Sequence, residues 1–328
     1  MDVNGVAAPA PAPAPAPITI REVWVDNLQS EFELISEAID QYPYVSVDTE
    51  FPGTIYKNSA PMIPVEKYKL MKRNVDVLHL IQVGITLSDS DGNLPNLGSV
   101  NHRYIWQFNF SDFDLSRDRY AQESIDLLHW NGINFEENRV RGIGSRAFGE
   151  LLISSGLVCN SSVSWITFHG LSDFGYLLKI LMGNQELPDE LPDFLKNLKL
   201  FFGNEIYDVK HLMKFCPNLY GGLNSVASLL GVIRMVGNSH QAGSDSLLTW
   251  HVFQRMRDIY FADGEGPREH AGIFIRVGIT RRRADFSVLY DVKHLMKFCP
   301  NLYGGLNRVA SILGVNRVIG EEPSSQFR

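Results

Sequence analysis

The sequence predicts an α/β fold in which a mixed sheet of about five to six strands is flanked by helices. Three β-rich segments come early in the chain, and strand-like and helix-like segments alternate after them. The 328 residues, of which 45% are hydrophobic and 20% charged, provide enough chain to bury a sizeable core. A soluble globular α/β protein is therefore the expected class.

Charge and composition narrow the possible functions. The net charge of −7 argues against an electrostatic wrap around nucleic acid, but it leaves room for a nucleic-acid enzyme whose cations are bound metal ions. Three cysteines without metal-ligand spacing favour a reduced intracellular compartment. No segment approaches the ~20 apolar residues of a membrane helix, and the start of the chain lacks the features of a secretory signal. We expect no membrane association.

The chain is expected to have three parts. Residues 1–20 are a Pro/Ala-rich leader, predicted to be disordered because its alternating prolines favour an extended chain with nothing to bury. Residues 21–280 are the globular domain. Residues 281–328 contain a partial duplicate and a tail, since 207–232 return as 290–315 with 24 of 26 positions identical. Two units do not make a solenoid, and the second copy ends before any second histidine motif.

The first half of the domain begins with a helix over 26–41, with Asp26 as its N-cap, that ends before Pro43. Three strands then follow in a meander, over 44–50, 77–87 and 103–110. In the second half, helices over 117–130 and 145–155 precede a strand over 164–170. A helix from Ser172, another helix, a short strand at 204–207 and further helices to about 260 complete the domain.

The first candidate site residues are Asp48 and Glu50, at the end of the predicted strand over 44–50. Residues i and i+2 of a strand point to the same face, so the two carboxylates project together. Hard oxygen ligands set close together suit Mg²⁺ or Mn²⁺. The alternative is a solvated turn, which an Asp-x-Glu pair alone does not exclude. The position at a strand end favours a site. Phe51, which follows the pair, is a candidate substrate contact.

Asp173 and His169 follow the strand over 164–170. Asp173 is predicted to lie in the first turn of a helix, where it is either a third carboxylate of the same site or an acid that the helix dipole stabilises. His169 is a candidate substrate contact, and a packed histidine is the alternative.

The segment from His240 to Asp245 predicts a helix entry at Gly243 and Ser244. Asp245 then falls in the first turn and His240 in the preceding loop. Histidine readily takes a proton near neutral pH and could serve as a general base. The alternative is a capped helix with an unrelated loop histidine. Taken together, four carboxylates and one histidine could hold two metal ions about 3.5–4 Å apart and hydrolyse a phosphodiester.

The order of these motifs resembles the DEDD-type 3′-exonucleases of the ribonuclease H-like fold, in the subclass with a catalytic histidine. Longer runs resemble the Caf-one/Pop-two deadenylase family, nearest to its plant members, over about residues 21–280. These runs are VDTEFPG (47–53), WQFNF (106–110), SIDLL (124–128), FHGLSDFGYLLKIL (168–181), YDVKHLM (207–213) and HQAGSDSLLT (240–249).

The resemblance implies a poly(A)-specific 3′-exoribonuclease that releases AMP with two divalent ions, Mg²⁺ or Mn²⁺. It implies Asp48, Glu50, Asp173 and Asp245 as metal ligands and His240 as the catalytic histidine. The implied partners are poly(A) RNA, the NOT scaffold subunit and a second deadenylase of the CCR–NOT complex. The implied location is the cytoplasm and nucleus.

Several departures from the family pattern leave two other functions open. Ser172 stands where the family usually has tyrosine, Gly203-Asn204-Glu205 adds a residue before YDVKHLM, and IFIRVGIT replaces the usual sequence after Gly272. One alternative is a catalytically weak or inactive adaptor that bridges the NOT scaffold. The other is a DEDD exonuclease that acts on other RNA or DNA 3′ ends, since base preference depends on pocket shape.

Overall fold

The strands form one mixed sheet. The computed structural model describes residues 16–262 and 267–272, and within these residues the sheet has six strands in the order β1-β4-β3-β2-β5-β6. Strands β2, β3 and β4 form the predicted antiparallel meander, while β1 runs parallel to β4 and β5 and β6 extend the sheet in parallel from β2. The strands are β1 Ile18–Val23, β2 Tyr44–Glu50, β3 Gln82–Ser88, β4 Arg103–Asn109, β5 Ser164–Thr167 and β6 Ile206–Asp208.

Helices cover both faces of the sheet, so the predicted α/β class is confirmed. One core joins the sheet to α1, α2, α5, α6 and α7, and a second core lies under α8, α9 and α10. The helices are α1 Leu28–Ala38, α2 Pro64–Val77, α3 Gln122–Trp130, α4 Phe135–Arg141, α5 Ser145–Ser154, α6 Leu171–Leu181, α7 Leu191–Phe202, α8 Val209–Leu212, α9 Leu223–Leu229 and α10 Ala242–Tyr260. Short 3-10 turns occupy Met213–Phe215 and Pro267–His270.

Alternation along β2 separates the two faces. Val45 and Val47 are fully buried in the first core, while Tyr44 packs on the second core and its ring lies 5.5 Å from that of Trp250 in α10. The period of two therefore turns Asp48 toward the face that α10 covers. This alternation fixes which helix can meet the Asp48 side chain.

Several predicted boundaries were wrong. Strand β1, Ile18–Val23, was not predicted as a strand, and it pairs with β4. Strand β3 begins at Gln82 instead of 77, since α2 continues to Val77. Helix α2 and helix α4 were not predicted, and α3 begins at Gln122 instead of 117.

The start of α1 also differs from the prediction, which gave Asp26 as the N-cap. The N-cap residue is Asn27, and its side-chain oxygen accepts a hydrogen bond from the backbone N–H of Trp24 instead of from the helix.

The leader before residue 16 and the duplicate over 290–315 lie outside the described residues. Within the described part of the chain, each helix is too short or too polar to cross a bilayer.

Candidate active site

Helix α10 is held directly against the sheet by a glycine. A Cβ atom added to Gly84 of β3 would lie 1.9 Å from the carbonyl oxygen of Ala242, the first residue of α10. The backbone N–H of Gly243 donates to Oε1 of Gln107 at 2.9 Å, and the hydroxyls of Thr86 and Ser246 are 2.9 Å apart. This close approach brings the first turn of α10 over the strands that flank Gly84.

Two predicted site residues project from β2 under this helix. In the pairing of β2 with β3, Asp48 lies opposite Gly84 and Glu50 lies opposite Gln82. Asp48 is half-buried and Glu50 is 9% exposed. The expectation that the two carboxylates share one face of a strand end agrees with this register.

Asp173 reaches the same region from the first turn of α6. Its carboxylate accepts hydrogen bonds from the hydroxyls of Thr49, at 2.5 Å, and Thr167, at 3.4 Å. Thr167 is the last residue of β5, which pairs with β2, so the two threonines hold the carboxylate beside the end of β2. Asp173 is buried. Burial is compatible both with a third carboxylate of the site and with an acid that the helix dipole stabilises.

His240 and Asp245 complete the cluster from the start of α10. The backbone N–H of His240 donates to Oδ2 of Asp245 at 2.9 Å, and His240 has a positive φ of 59°. Its Nδ1 atom lies 4.0 Å from Oε1 of Glu50. One possible ligand atom from each of Glu50, His240 and Asp245 falls within 4.8 Å of the others. These three residues, from β2, from α10 and from the loop before α10, could therefore share a metal ion.

Burial and mutual repulsion both disfavour the charged carboxylates of the cluster. Burial, with repulsion from Asp245, Glu50 and Asp173, raises the pKa of Asp48 well above its usual value. Burial together with Asp245 and Asp173 does the same to the pKa of Glu50. Burial raises the pKa of Asp173 to about 7, although Thr49 and Thr167 oppose the shift. The four predicted carboxylates are thus close enough to disfavour one another's charges, which a divalent cation would relieve.

The two candidate substrate contacts line different cavities. Phe51 lines a cavity of about 340 Å³, the terminal cavity, together with Glu50, His240 and Leu127 of α3. His169 lines a second cavity of about 540 Å³ near β6. The backbone N–H of His169 donates to Oδ1 of Asp208 at 2.9 Å.

Sequence patterns did not identify Arg234. Its guanidinium lies 2.6 Å from Oδ1 of Asp245, and it also donates to the hydroxyl of Ser244. The contact with Asp245 lacks hydrogen-bond geometry, so this buried oxygen has no hydrogen-bond donor in the described structure. Arg234 lies in the loop before α10, separated from His240 by five residues, and neither its residue type nor its spacing indicated the contact with Asp245. Arg234 is the cation that meets the cluster in the described structure.

Comparisons with known proteins identify the relatives of this chain. A profile of the CAF1 family ribonuclease matches residues 23–147. The probable CCR4-associated factor 1 homolog 7 of Arabidopsis thaliana is 47% identical over 264 residues, which cover 80% of this chain and 94% of the relative. The poly(A) ribonuclease pop2 of Schizosaccharomyces pombe is 45% identical over 244 residues, which cover 74% of this chain and 70% of the relative.

Solved structures agree with these matches. The S. pombe Pop2p structure in its Mg²⁺- and Mn²⁺-bound form aligns with a TM-score of 0.68 at 45% identity and covers 74% of this chain and 93% of its own. CAF1 co-crystallised with the yeast NOT1 MIF4G domain aligns with a TM-score of 0.64 at 34% identity and covers 78% of this chain and 96% of that chain. The expected mixed sheet flanked by helices is shared with these structures, and the chain belongs to the CAF1 family of ribonucleases.

Proposed function

We propose that this protein is a poly(A)-specific 3′-exoribonuclease that releases AMP from mRNA 3′ tails with two divalent ions and a histidine general base. The observation that supports this proposal is the cluster of four carboxylates and His240 at the end of β2 in a member of a ribonuclease family. The similar S. pombe protein is a poly(A) ribonuclease, which supports the substrate class.

The residues of the cluster fit a divalent metal site. Asp48, Glu50, Asp173 and Asp245 offer hard oxygen ligands, as Mg²⁺ and Mn²⁺ require. Burial, and after it repulsion from neighbouring carboxylates, raises the pKa values of Asp48 and Glu50, and a cation would offset both effects. The buried Oδ1 of Asp245 faces Arg234 as an ion pair but accepts no hydrogen bond among the described residues. When bound, such ions activate water and stabilise the leaving oxygen of a phosphodiester. The similar Pop2p structure binds Mg²⁺ and Mn²⁺.

His240 is proposed to accept the proton of the attacking water. Its side chain is 42% exposed, and its backbone is fixed by the hydrogen bond to Asp245, so the ring can reach a water beside Glu50. The water oxygen forms a bond to the last phosphorus, and the bond from that phosphorus to the 3′ oxygen breaks. The 3′ oxygen takes a proton, which leaves AMP and an RNA one nucleotide shorter.

The terminal cavity is proposed to hold the nucleotide that is removed. Its volume of about 340 Å³ lies within the range of small-ligand sites, which is ~300–1,000 Å³. Phe51 offers an aromatic ring to the base, and this ring lies 5.0 Å from that of Tyr176, which supports it from behind. Glu50 and His240 form part of the same wall, so a nucleotide bound there would present its phosphate to the cluster.

The partners are proposed by similarity. The yeast relative was crystallised with the MIF4G domain of NOT1, and the Arabidopsis relatives are named as CCR4-associated factors. We therefore expect this protein to bind a NOT scaffold subunit and, through it, a second deadenylase in the cytoplasm and nucleus. Co-purification of the tagged protein with the scaffold subunit from separated cytoplasmic and nuclear extracts would test the partner and the location together.

The decisive experiment follows 5′-labelled oligo(A) RNA over time with Mg²⁺, Mn²⁺ or EDTA. We expect shortening by one nucleotide at a time that EDTA abolishes. Asp48→Asn removes a ligand and should lower the rate by more than about 100-fold, beyond the cost of altering a residue that only supports a metal ligand. Asp40→Asn, an exposed change of the same chemistry after α1, should leave the rate unchanged.

Three results would contradict the proposal in different ways. Turnover that persists in EDTA or in Asp48→Asn would exclude the metal mechanism. No turnover with either metal, together with retained scaffold binding, would favour the adaptor function that the altered segment at Ser172 leaves open. Equal rates on oligo(A), oligo(U) and oligo(dA) would indicate an exonuclease of other 3′ ends.

A further inference from the structure

The second cavity lies beside the carboxylate cluster, on its β6 side. It has a volume of about 540 Å³ and is lined by Lys67 of α2, by Asp208, Lys210 and Lys214, and by Tyr220 in the loop before α9. We call it the basic cavity. Asp208 connects it to the cluster, because Asp208 lies opposite Thr167 in the pairing of β6 with β5 and the Thr167 hydroxyl donates to Asp173 at 3.4 Å.

The cavity has an excess of positive charge in a protein whose net charge is −7. Among the described residues, Lys67, Lys210 and Lys214 form no ion pair with a carboxylate, and Lys67 and Lys214 are exposed. The Nζ atom of Lys210 donates to the carbonyl of Gly221, which fixes this lysine to the cavity wall.

The carboxylate of Asp208 does not neutralise the lysines. Its Oδ1 atom accepts backbone hydrogen bonds from His169 at 2.9 Å, Lys210 at 2.8 Å and His211 at 3.4 Å. These amides compensate the charge of Asp208 locally, and burial raises its pKa. The exposed lysines therefore remain available to an anionic ligand.

An aromatic side chain accompanies these charges. Tyr220 is 69% exposed and lines the cavity. Single-stranded nucleic acids are commonly bound by a cationic groove that contacts phosphates and by aromatic rings on which the bases stack. Lys67, Lys214 and Tyr220 provide both elements within one cavity.

The two cavities lie at different ends of the cluster. The terminal cavity borders Glu50 and His240, while the basic cavity borders Asp208, whose sheet neighbour Thr167 donates to Asp173. In the sheet, β5 lies between β2, which carries Glu50, and β6, which carries Asp208. A strand whose 3′ nucleotide occupies the terminal cavity would cross the carboxylates and continue toward the basic cavity.

We propose that the basic cavity binds the RNA on the 5′ side of the scissile phosphate. Lys67 and Lys214 contact phosphates of the RNA, and Tyr220 stacks on a base. This inference rests on the proposed function for its substrate, but it concerns binding and not the chemical step. It can therefore be tested without turnover.

The first test measures binding of fluorescent oligo(A) in EDTA by anisotropy. The double variant Lys67→Gln/Lys214→Gln should weaken binding roughly 3- to 20-fold, as expected for two exposed charge contacts. The slope of the logarithm of affinity against the logarithm of salt should fall by about 1.4, because each single-strand phosphate contact contributes about 0.7. The matched control Lys196→Gln/Lys199→Gln removes the same charge from exposed positions on α7 and should leave both values unchanged.

The second test separates the base contact from the phosphates. Tyr220→Ala should weaken oligo(A) binding by about tenfold with an unchanged salt slope, whereas Tyr220→Phe keeps the ring and should bind as the unaltered protein does. In turnover with Mg²⁺, the lysine double variant should raise KM for an oligo(A) of about ten nucleotides and not for the dinucleotide ApA, which ends before the cavity.

Distinct results would overturn each claim. If the lysine double variant and its control lose equal affinity for oligo(A), the loss reflects the overall charge of the protein, and the basic cavity is not an RNA subsite. If KM rises equally for ApA and the longer RNA, the lysines act at the reacting phosphate instead. If the unaltered protein binds oligo(A) through these residues but hydrolyses neither substrate, the proposed nuclease function fails while the subsite stands.

Discussion

Replacing Gly84 with alanine is the sharpest test of how the candidate site is assembled. Gly84 lies opposite Asp48 in the sheet and directly under the first residue of α10. An added Cβ would lie 1.9 Å from the Ala242 oxygen, and ordinary contact begins at 3.4 Å, so the strand and the helix would have to separate by 3.4 − 1.9 = 1.5 Å. The atoms that the added Cβ would meet are backbone atoms of Ala242 and Gly243, which cannot rotate away as a side chain could.

The energetic cost follows from this separation. Overpacking costs about 1–3 kcal/mol, and loss of the hydrogen bonds from Gly243 to Gln107 and between Thr86 and Ser246 adds about 0.5–1.5 kcal/mol each. We expect Gly84→Ala to lower the free energy of unfolding by about 2–6 kcal/mol. At roughly 2–4 °C per kcal/mol for a domain of this size, the melting temperature should fall by about 4–24 °C.

Function should suffer more than stability. Asp245 and His240 move with α10, whereas Asp48 and Glu50 stay on β2. A shift of about 1 Å in reacting groups can cost about 100-fold in rate. The assays are thermal unfolding, Mn²⁺ titration and oligo(A) hydrolysis at a temperature at which the variant remains folded.

A matched variant makes the outcome interpretable. An added Cβ on Gly144, before α5, would have no neighbour within 4 Å, and the φ of Gly144 is −72°. Gly144→Ala should therefore change stability by less than about 1 kcal/mol and leave hydrolysis unchanged. If Gly84→Ala has the stability and metal affinity of the unaltered protein, the account of how α10 is positioned is refuted.

Three further predictions follow. Burial raises the pKa of Asp173 to about 7 in the metal-free protein, so a Mn²⁺ ion that binds Asp173 must displace a proton. The apparent affinity for Mn²⁺ should therefore fall as the pH drops from 8 to 6. Calorimetry in two buffers of different ionisation heat measures the number of protons released. Glu31→Ala should lower the free energy of unfolding in urea by about 2–4 kcal/mol, since Arg21 and the buried Trp106 indole lose their acceptor. A chain truncated after Thr280 should remain folded by circular dichroism and hydrolyse oligo(A) at an unchanged rate, because the duplicate ends before a second histidine motif.

Local patterns in the sequence predicted much of the sheet. Strand β2 has the predicted bounds, 44–50. Val45 and Val47 alternate there with polar residues, and Pro43 and Pro52 flank the strand. Helix α2 was missed. Its buried residues include Tyr68, Met71 and the polar Asn74, so its apolar face is interrupted, and Asn74 is buried because its amide binds the backbone of the loop at Tyr56.

The sequence by itself determined the chemical identity of the candidate site. The i, i+2 spacing of Asp48 and Glu50 and the helix-start position of Asp245 follow from the local periods of strand and helix, which need no knowledge of the rest of the chain. Their proximity to one another, the contact of Arg234 with Asp245 and the two cavities depend on how distant segments pack. Only the tertiary structure decided these, because side chains from β2, α6 and α10 meet through the close approach at Gly84 and the pairing of β5 with β2.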